Sequence, residues 1–158
     1  MSPRTDPAPL TGMLTDLPVE HRDLLMGLAR EVDHPGRVRL FEEGGAADRF
    51  WIVRTGSVAL DIQIPGRGPA VVETIGPGGL LGWSWLCPPR EWHLGAETRS
   101  PVSAWEFDAG AVSRTFAGHP EFGLAVVIVV ARTIGDRLRA TRTRLLDLYG
   151  PQTGHPMP

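Results

Sequence analysis

Three tryptophans, Trp83, Trp85 and Trp92, lie close together in the sequence, with polar side chains between them. Indole rings bury large areas and stack well, so such a cluster either fills a cavity or lines a pocket for a flat or apolar molecule. Arg90 either supplies a cation to that pocket or lies in a solvated loop. The candidate pocket residues are Gly79, Leu81, Gly82, Trp83, Ser84, Trp85, Arg90, Trp92 and His93.

The remaining chemistry-bearing residues do not form a metal or catalytic pattern. A metal site needs several ligands at characteristic spacings, and the sequence has neither an H-x-x-x-H pair nor a Cys–His pairing. No Gly-Lys-Ser/Thr follows the glycines at residues 76–79, and no second glycine completes a nucleophile elbow at residues 82–85. We therefore expect no metal, no cofactor and no enzymatic activity. The scattered histidines are His21, His34, His93, His119 and His155.

Composition predicts one compact domain and excludes several classes of protein. The chain has 158 residues, of which 42% are hydrophobic and 22% charged, with a formal net charge of -2. A single domain fits this length, and the charge does not indicate a general nucleic-acid or membrane-surface protein. Cys87 is the only cysteine, so no internal disulfide forms and a reducing cytoplasm is expected. The longest near-apolar run is too short to span a bilayer, which excludes a membrane-spanning segment.

The elements that would position the tryptophans are strands. Residues 14–32 have helical spacing and predict a short opening helix. Residues 38–107 read as short strands separated by glycine turns, which is typical of an antiparallel barrel or sandwich. From residue 121 to residue 149 the pattern is helical. We therefore predict a mobile tail over 1–12, a β-roll with an N-terminal helix over 13–119, a long helix over 120–149 and a second mobile tail over 150–158.

The long helix carries an apolar series with heptad spacing. Such a seam favours a parallel pair of helices from two copies of the chain, the alternative being a helix that lies along its own domain. The arginines around the seam, Arg137, Arg139, Arg142 and Arg144, are expected to be exposed to solvent. The predicted dimer interface consists of Leu124, Val127, Ala131, Ile134, Leu138, Thr141, Leu145 and Leu148.

Four segments carry a specific resemblance when they are taken in order. They are LFEEG (residues 40–44), FWIVRTGSV (50–58), IGPGGLLG (75–82) and WEFD (105–108). Their order and spacing resemble the cyclic nucleotide-binding domain family of catabolite-activator and Crp-Fnr type regulators. The resemblance implies a mainly β fold with flanking helices: a double-stranded β-helix, or jelly-roll-like β-roll, with a long C-terminal helix.

The segment that resembles the phosphate cassette of this family departs from its pattern. The family places a glutamate after the first glycine to accept from the ribose hydroxyl, and an arginine further along to pair with the cyclic phosphate. Trp83 stands where the glutamate belongs and Trp92 where the arginine belongs; a one-residue slip would bring His93 there instead. Each lost contact to a charged group is worth about 1.5–3 kcal/mol. Losing both would weaken binding about a hundredfold to ten-thousandfold.

The sequence therefore predicts a dimeric regulatory or scaffolding module that presents its β-roll to an unidentified partner protein and does not bind cAMP or cGMP in the usual way. The alternatives are a sensor of a different small molecule and a cyclic nucleotide binder with an altered mode. Family members often carry a winged helix-turn-helix after the long helix. Few residues follow Gly150 here, so no direct DNA binding is expected.

Overall fold

The computed structural model describes residues 12–150 and begins with two short helices, α1 (Met13–Asp16) and α2 (Val19–Met26). The chain then enters strand β1 (Ala29–His34). The prediction of one helix over 14–32 is therefore wrong beyond residue 26. The strand forms because it pairs along its whole length with strand β8 (Val102–Asp108), from Ala29 opposite Phe107 to His34 opposite Val102.

Two antiparallel sheets of four strands each form the β-roll within the described residues. One sheet has the order β1-β8-β3-β6 and the other the order β2-β7-β4-β5. This arrangement confirms the mainly β, jelly-roll-like architecture predicted from the sequence. The remaining strands are β2 (Arg39–Phe41), β3 (Arg49–Thr55), β4 (Val58–Ile64), β5 (Gly68–Ile75), β6 (Leu80–Leu81) and β7 (Gly95–Thr98).

Strand β3 is buried on both faces, and the two faces have different neighbours. Phe50 stacks on Phe107, with ring centroids 4.7 Å apart, on the side that the helices cover. Trp51 lies on the opposite face, because successive side chains of a strand alternate. Its ring stacks near Trp92, with centroids 6.1 Å apart, between the two sheets. The strand thus separates a helix-covered core from an aromatic core inside the roll.

Two helices follow the last strand. Helix α3 (Ala109–Gly118) begins where the Asp108 carboxylate accepts a 2.8 Å hydrogen bond from the backbone N–H of Ala111, an N-cap contact that satisfies an otherwise unpaired amide. Helix α4 (Pro120–Tyr149) starts with proline in its first turn, where the missing N–H costs nothing. Its first half packs against α1, α2 and α3, and the buried side chains there include Phe122, Val126, Val129 and Val130.

No helix within residues 12–150 combines the length and the apolar character needed to cross a membrane.

Candidate functional site

A small cavity of about 50 Å³ lies beside the start of the segment that resembles the phosphate cassette. Small-molecule sites typically measure about 300–1,000 Å³, so this cavity is smaller than the usual ligand site. Aromatic rings, a glycine and one arginine surround it. Its lining residues are Phe41, Leu60, Gly82, Trp83, Ser84, Trp92, His93, Leu94 and Arg137.

Trp92 forms part of the wall of this cavity. Its ring stacks on Phe41 with centroids 4.0 Å apart, and the side chain is almost fully buried. Gly82 has a positive φ of 86°, and a Cβ added there would lie 2.7 Å from Cζ3 of Trp92. The indole therefore lies directly against the backbone of Gly82, and a side chain at position 82 would collide with it.

Trp83 and His93 form one side of the cavity. Their rings stack with centroids 5.0 Å apart, and Nδ1 of His93 lies 2.9 Å from the hydroxyl oxygen of Ser84. Trp83 is half-buried, His93 is exposed and Ser84 is buried. This trio presents a partly accessible indole face and a hydroxyl that is already hydrogen-bonded.

The other candidate pocket residues lie outside the lining of this cavity. Trp85 belongs to the 3₁₀ turn Ser84–Leu86 and stacks on Phe50, with centroids 4.9 Å apart, in the helix-covered core. The carbonyl of Gly79 accepts from the backbone N–H of Val53. Leu81 pairs with β3, and Arg90 is exposed with a positive φ of 55°. The structure thus brings Gly82, Trp83, Ser84, Trp92 and His93 together, and separates them from Gly79, Leu81, Trp85 and Arg90.

Arg137 of helix α4 lines the cavity, although its sequence context suggested an exposed residue. The expectation of solvent exposure is wrong for this arginine: its side chain is 15% exposed, against 76% for Arg139. Its Nη2 donates to the carbonyl of Leu80, and its Nε lies 3.4 Å from the Glu73 carboxylate. Burial lowers the pKa of the Arg137 guanidinium, and the Glu73 charge acts in the opposite direction.

A repeat on the buried face of α4 could have shown from the sequence that Arg137 faces the domain. Val126, Val130, Thr133 and Arg137 follow one another at steps of four, three and four, which places them on one side of a helix. Val126 and Val130 are buried against the roll and Thr133 is half-buried. An arginine that continues such a series points at the domain and not at solvent.

Most residues of the predicted seam are exposed to solvent in the single chain. Leu124, Leu138, Leu145 and Leu148 are 61%, 59%, 53% and 81% exposed. Val127, Ala131 and Thr141 are also exposed, and Ile134 is half-buried against the core. The heptad series is therefore an apolar surface that the single chain does not cover.

Residues 12–150 contain no group of three or more His, Cys, Asp or Glu side chains arranged to hold a metal ion.

Comparison with known proteins identifies the family. The family model of the cyclic nucleotide-binding domain matches residues 34–119, which is more than half of the chain. The chain belongs to the cyclic nucleotide-binding domain family. This membership confirms the resemblance that the sequence segments carried, and the matched range contains both sheets of the roll except for most of β1.

Relatives of this cyclic nucleotide-binding domain include bacterial regulators. A CRP-like cAMP-activated global transcriptional regulator of Mycobacterium tuberculosis is 30% identical over 117 residues, which cover 74% of the chain and 50% of the regulator. The chain thus spans half the length of that relative. The N-terminal domain of a Streptomyces coelicolor A3(2) transcriptional regulator is 26% identical, with a TM-score of 0.66 over 82% of the chain and 89% of that domain.

A more extensive structural match is a cyclic nucleotide-binding domain from Methylobacillus flagellatus KT. It has a TM-score of 0.76 over 92% of the chain and 83% of that domain, at 19% identity, and it therefore shows the fold alone. Together with the family match, these relatives identify the chain as a regulatory module of the cyclic nucleotide-binding type.

Proposed function

We propose that the chain is a non-catalytic regulatory or scaffolding module that pairs with a second copy through α4 and does not hold cAMP or cGMP in the family's usual way. One observation carries this proposal: the indole of Trp92 lies against Gly82, where the resemblance expects the arginine that pairs with the cyclic phosphate. An uncharged ring at that position provides no partner for an anion and covers the backbone that would bind it.

The small size of the cavity supports the proposal that a cyclic nucleotide is not bound in the family's usual way. A cyclic nucleotide would enter the roughly 50 Å³ cavity only if Trp92 left its stack with Phe41. Uncovering a buried aromatic side chain costs about 3 kcal/mol, on the scale of fully burying such a side chain. This cost adds to the loss of the two charged contacts, so affinity falls further below that of a family member with an intact cassette.

Thermal unfolding tests the loss of cyclic nucleotide binding. A ligand present at about 100 times its Kd stabilises a protein by about 2.7 kcal/mol and raises Tm by several degrees. We expect no rise in Tm of the chain with millimolar cAMP or cGMP. The cAMP-activated M. tuberculosis regulator is the positive control, and its Tm should rise with cAMP under the same conditions. A rise in Tm at micromolar nucleotide would contradict the proposal.

The exposed face of α4 supports the pairing of two copies. An isolated apolar stripe of this length is unfavourable in water, and a heptad series is the pattern that a second, identical helix covers. Ala131 and Gly135 lie on the same side, where small residues allow close approach of two backbones. Sedimentation velocity should give the mass of a dimer, and a monomer at high micromolar concentration would contradict the pairing.

Arg137 supports a role in regulation, because it joins the helix to the roll. It contacts the carbonyl of Leu80 in β6 and the carboxylate of Glu73 in β5 from one position on α4. A displacement of the helix would break both contacts next to the cavity. We propose that a change in the roll reaches the paired helices through this residue.

A second candidate function is the sensing of a different small molecule. The half-buried Trp83, stacked on His93 beside the cavity, favours this alternative, because its accessible face suits a flat ligand. A ligand screen read out by thermal unfolding distinguishes the sensor from the scaffolding module. A compound that raises Tm of the wild type but not of Trp83→Ala supports the sensor. A compound that raises Tm of both equally contradicts binding at Trp83.

An unidentified partner protein and the absence of direct DNA binding are further parts of the proposal. The exposed Arg139 pairs with Asp136 at 3.4 Å, which supports a solvated surface over a basic DNA-binding one. A gel-shift assay should show no salt-sensitive binding of duplex DNA. A salt-sensitive shift would contradict this part of the proposal.

A further inference from the structure

The small cavity beside Trp83 has a lining that favours an anion. Among the described residues that border it, Arg137 is the one with a formal charge, and His93 adds a ring that can carry a proton. These lining residues include no carboxylate, whereas a larger cleft between α1 and α4 is bordered by Asp16 and Asp136. The charge around the small cavity therefore attracts an anion and disfavours a cation.

Arg137 has donor capacity that the chain does not use. A guanidinium carries five N–H donors. Nη2 donates to the carbonyl of Leu80, and Nε lies 3.4 Å from the Glu73 carboxylate, which is longer than a usual N–H···O hydrogen bond. Within residues 12–150, Nη1 has no hydrogen-bond acceptor. Burial lowers the pKa of this guanidinium although the Glu73 charge acts in the opposite direction, so Glu73 compensates the buried charge only in part.

Ser84 and His93 offer a second donor at the same cavity. The hydroxyl oxygen of Ser84 lies 2.9 Å from Nδ1 of His93. When Nδ1 carries the proton, it donates to Ser84 and leaves the hydroxyl hydrogen free for another acceptor. Ser84 is buried and His93 is exposed, so this donor lies inside the cavity while its neighbour reaches solvent. A small ion can therefore exchange with solvent beside the His93 ring.

We propose that this cavity binds a small monovalent inorganic anion, of the size of chloride or nitrate, between Arg137 and Ser84. The cavity of about 50 Å³ exceeds the roughly 10–15 Å³ that one water molecule needs. Arg137 would donate from Nη1 and Ser84 from its hydroxyl, and the anion would supply the charge that Glu73 provides only in part. The arginine comes from α4 and not from the segment that resembles the phosphate cassette. This proposal goes beyond the function proposed above and holds whether or not two copies pair.

Indole N–H signals in a ¹H–¹⁵N NMR spectrum of the full chain test the site, with sodium nitrate as the probe and signals assigned by single Trp→Phe variants. Sodium glutamate keeps the ionic strength constant, because its organic anion is too large for the cavity. We expect the signals of Trp83 and Trp92, which border the cavity, to shift saturably with one common Kd in the millimolar range. The signal of Trp105, outside the lining, should stay in place. Linear shifts of all signals, or no shift at Trp83 and Trp92, would overturn the proposal.

Three variants test which groups hold the anion. Arg137→Gln should weaken nitrate binding about tenfold or more, as expected for loss of a charge-assisted hydrogen bond. Arg139→Gln is the matched control and should leave the Kd unchanged, because Arg139 is a 76% exposed arginine of the same helix that pairs with Asp136. Ser84→Ala keeps the guanidinium and should weaken binding severalfold, and it provides the test if Arg137→Gln does not fold. Equal Kd values for Arg137→Gln and Arg139→Gln, or an unchanged Kd for Ser84→Ala, would overturn the assignment.

Discussion

The inside of the β-roll and the outer face of helix α4 use large apolar side chains in opposite ways. In the roll, Trp92 and Trp51 are almost fully buried and stack with Phe41, so these rings are covered within a single copy of the chain. On α4, Leu138 and Leu145 remain more than half exposed. The aromatic side chains inside the roll are therefore covered, whereas these leucines of the helix are not.

This difference locates where the chain can respond to other molecules. A close-packed interior tolerates little change in volume, so we propose that the site beside Trp92 is a poor receptor for a nucleotide. An uncovered apolar stripe gains free energy from any partner that covers it. Arg137 lies where α4 meets the roll: it is half-buried and contacts both β5 and β6.

Removal of the indole that fills the site should have the largest effect. Trp92→Ala is expected to lower the free energy of unfolding by about 3–5 kcal/mol, the usual cost of deleting a buried tryptophan. Urea denaturation at a fixed protein concentration measures this change. Trp83→Ala is the matched control and should cost about 1 kcal/mol, because that ring is half-buried and loses mainly its stack with His93. Similar losses for both variants would show that Trp92 does not fill the site as described.

A charge in the seam should break the pairing of helices without affecting the roll. Leu145→Asp is expected to weaken the dimer about a hundredfold, because an unpaired carboxylate in an apolar interface is strongly unfavourable. Leu146→Asp is the matched control: it adds the same charge to the neighbouring leucine, which is exposed and outside the heptad series. Sedimentation velocity over a range of concentrations measures both, and equal dissociation in the two variants would exclude the proposed seam.

Loss of the contact between helix and roll should have a smaller effect. Arg137→Met keeps an unbranched apolar stem but removes the guanidinium and its contacts to Leu80 and Glu73, and is expected to cost about 2 kcal/mol. Hydrogen exchange of the backbone amides in α4 should become faster than in the wild type. Arg139→Met loses only an exposed ion pair with Asp136, so it should change the free energy of unfolding and the exchange rates of α4 very little. Unchanged exchange in Arg137→Met would exclude the proposed link.

Much of the fold was predictable from local patterns, and the failures have physical causes. Glycine turns and alternating strands predicted the roll, and the helical pattern over residues 121–149 predicted the bounds of α4 to within one residue. Strand β1 was missed because it is stabilised by pairing with β8, which lies about seventy residues away and leaves no local signal. Helix α3 was also missed, although Asp108 three residues before Ala111 is the kind of N-cap signal that could have revealed it.

The candidate site was predictable in part. The approach of Trp92 to Gly82 follows from their shared segment, since both belong to the region that resembles the phosphate cassette. Trp85 shares that segment but turns into the helix-covered core, because the 3₁₀ turn at Ser84–Leu86 rotates it towards Phe50. Arg137 comes from a different element, and only the packing of α4 on the roll brings it to the cavity.

Equilibrium dialysis with cAMP tests the central claim most directly, because it measures occupancy without relying on a change in stability. With the full chain at high micromolar concentration, we predict no saturable binding of cAMP up to millimolar nucleotide, since the indole of Trp92 lies against Gly82 in the segment that resembles the phosphate cassette. One cAMP bound per chain with a micromolar Kd would contradict the claim, and would mean that Trp92 leaves the stack at a cost far below that expected for a buried indole.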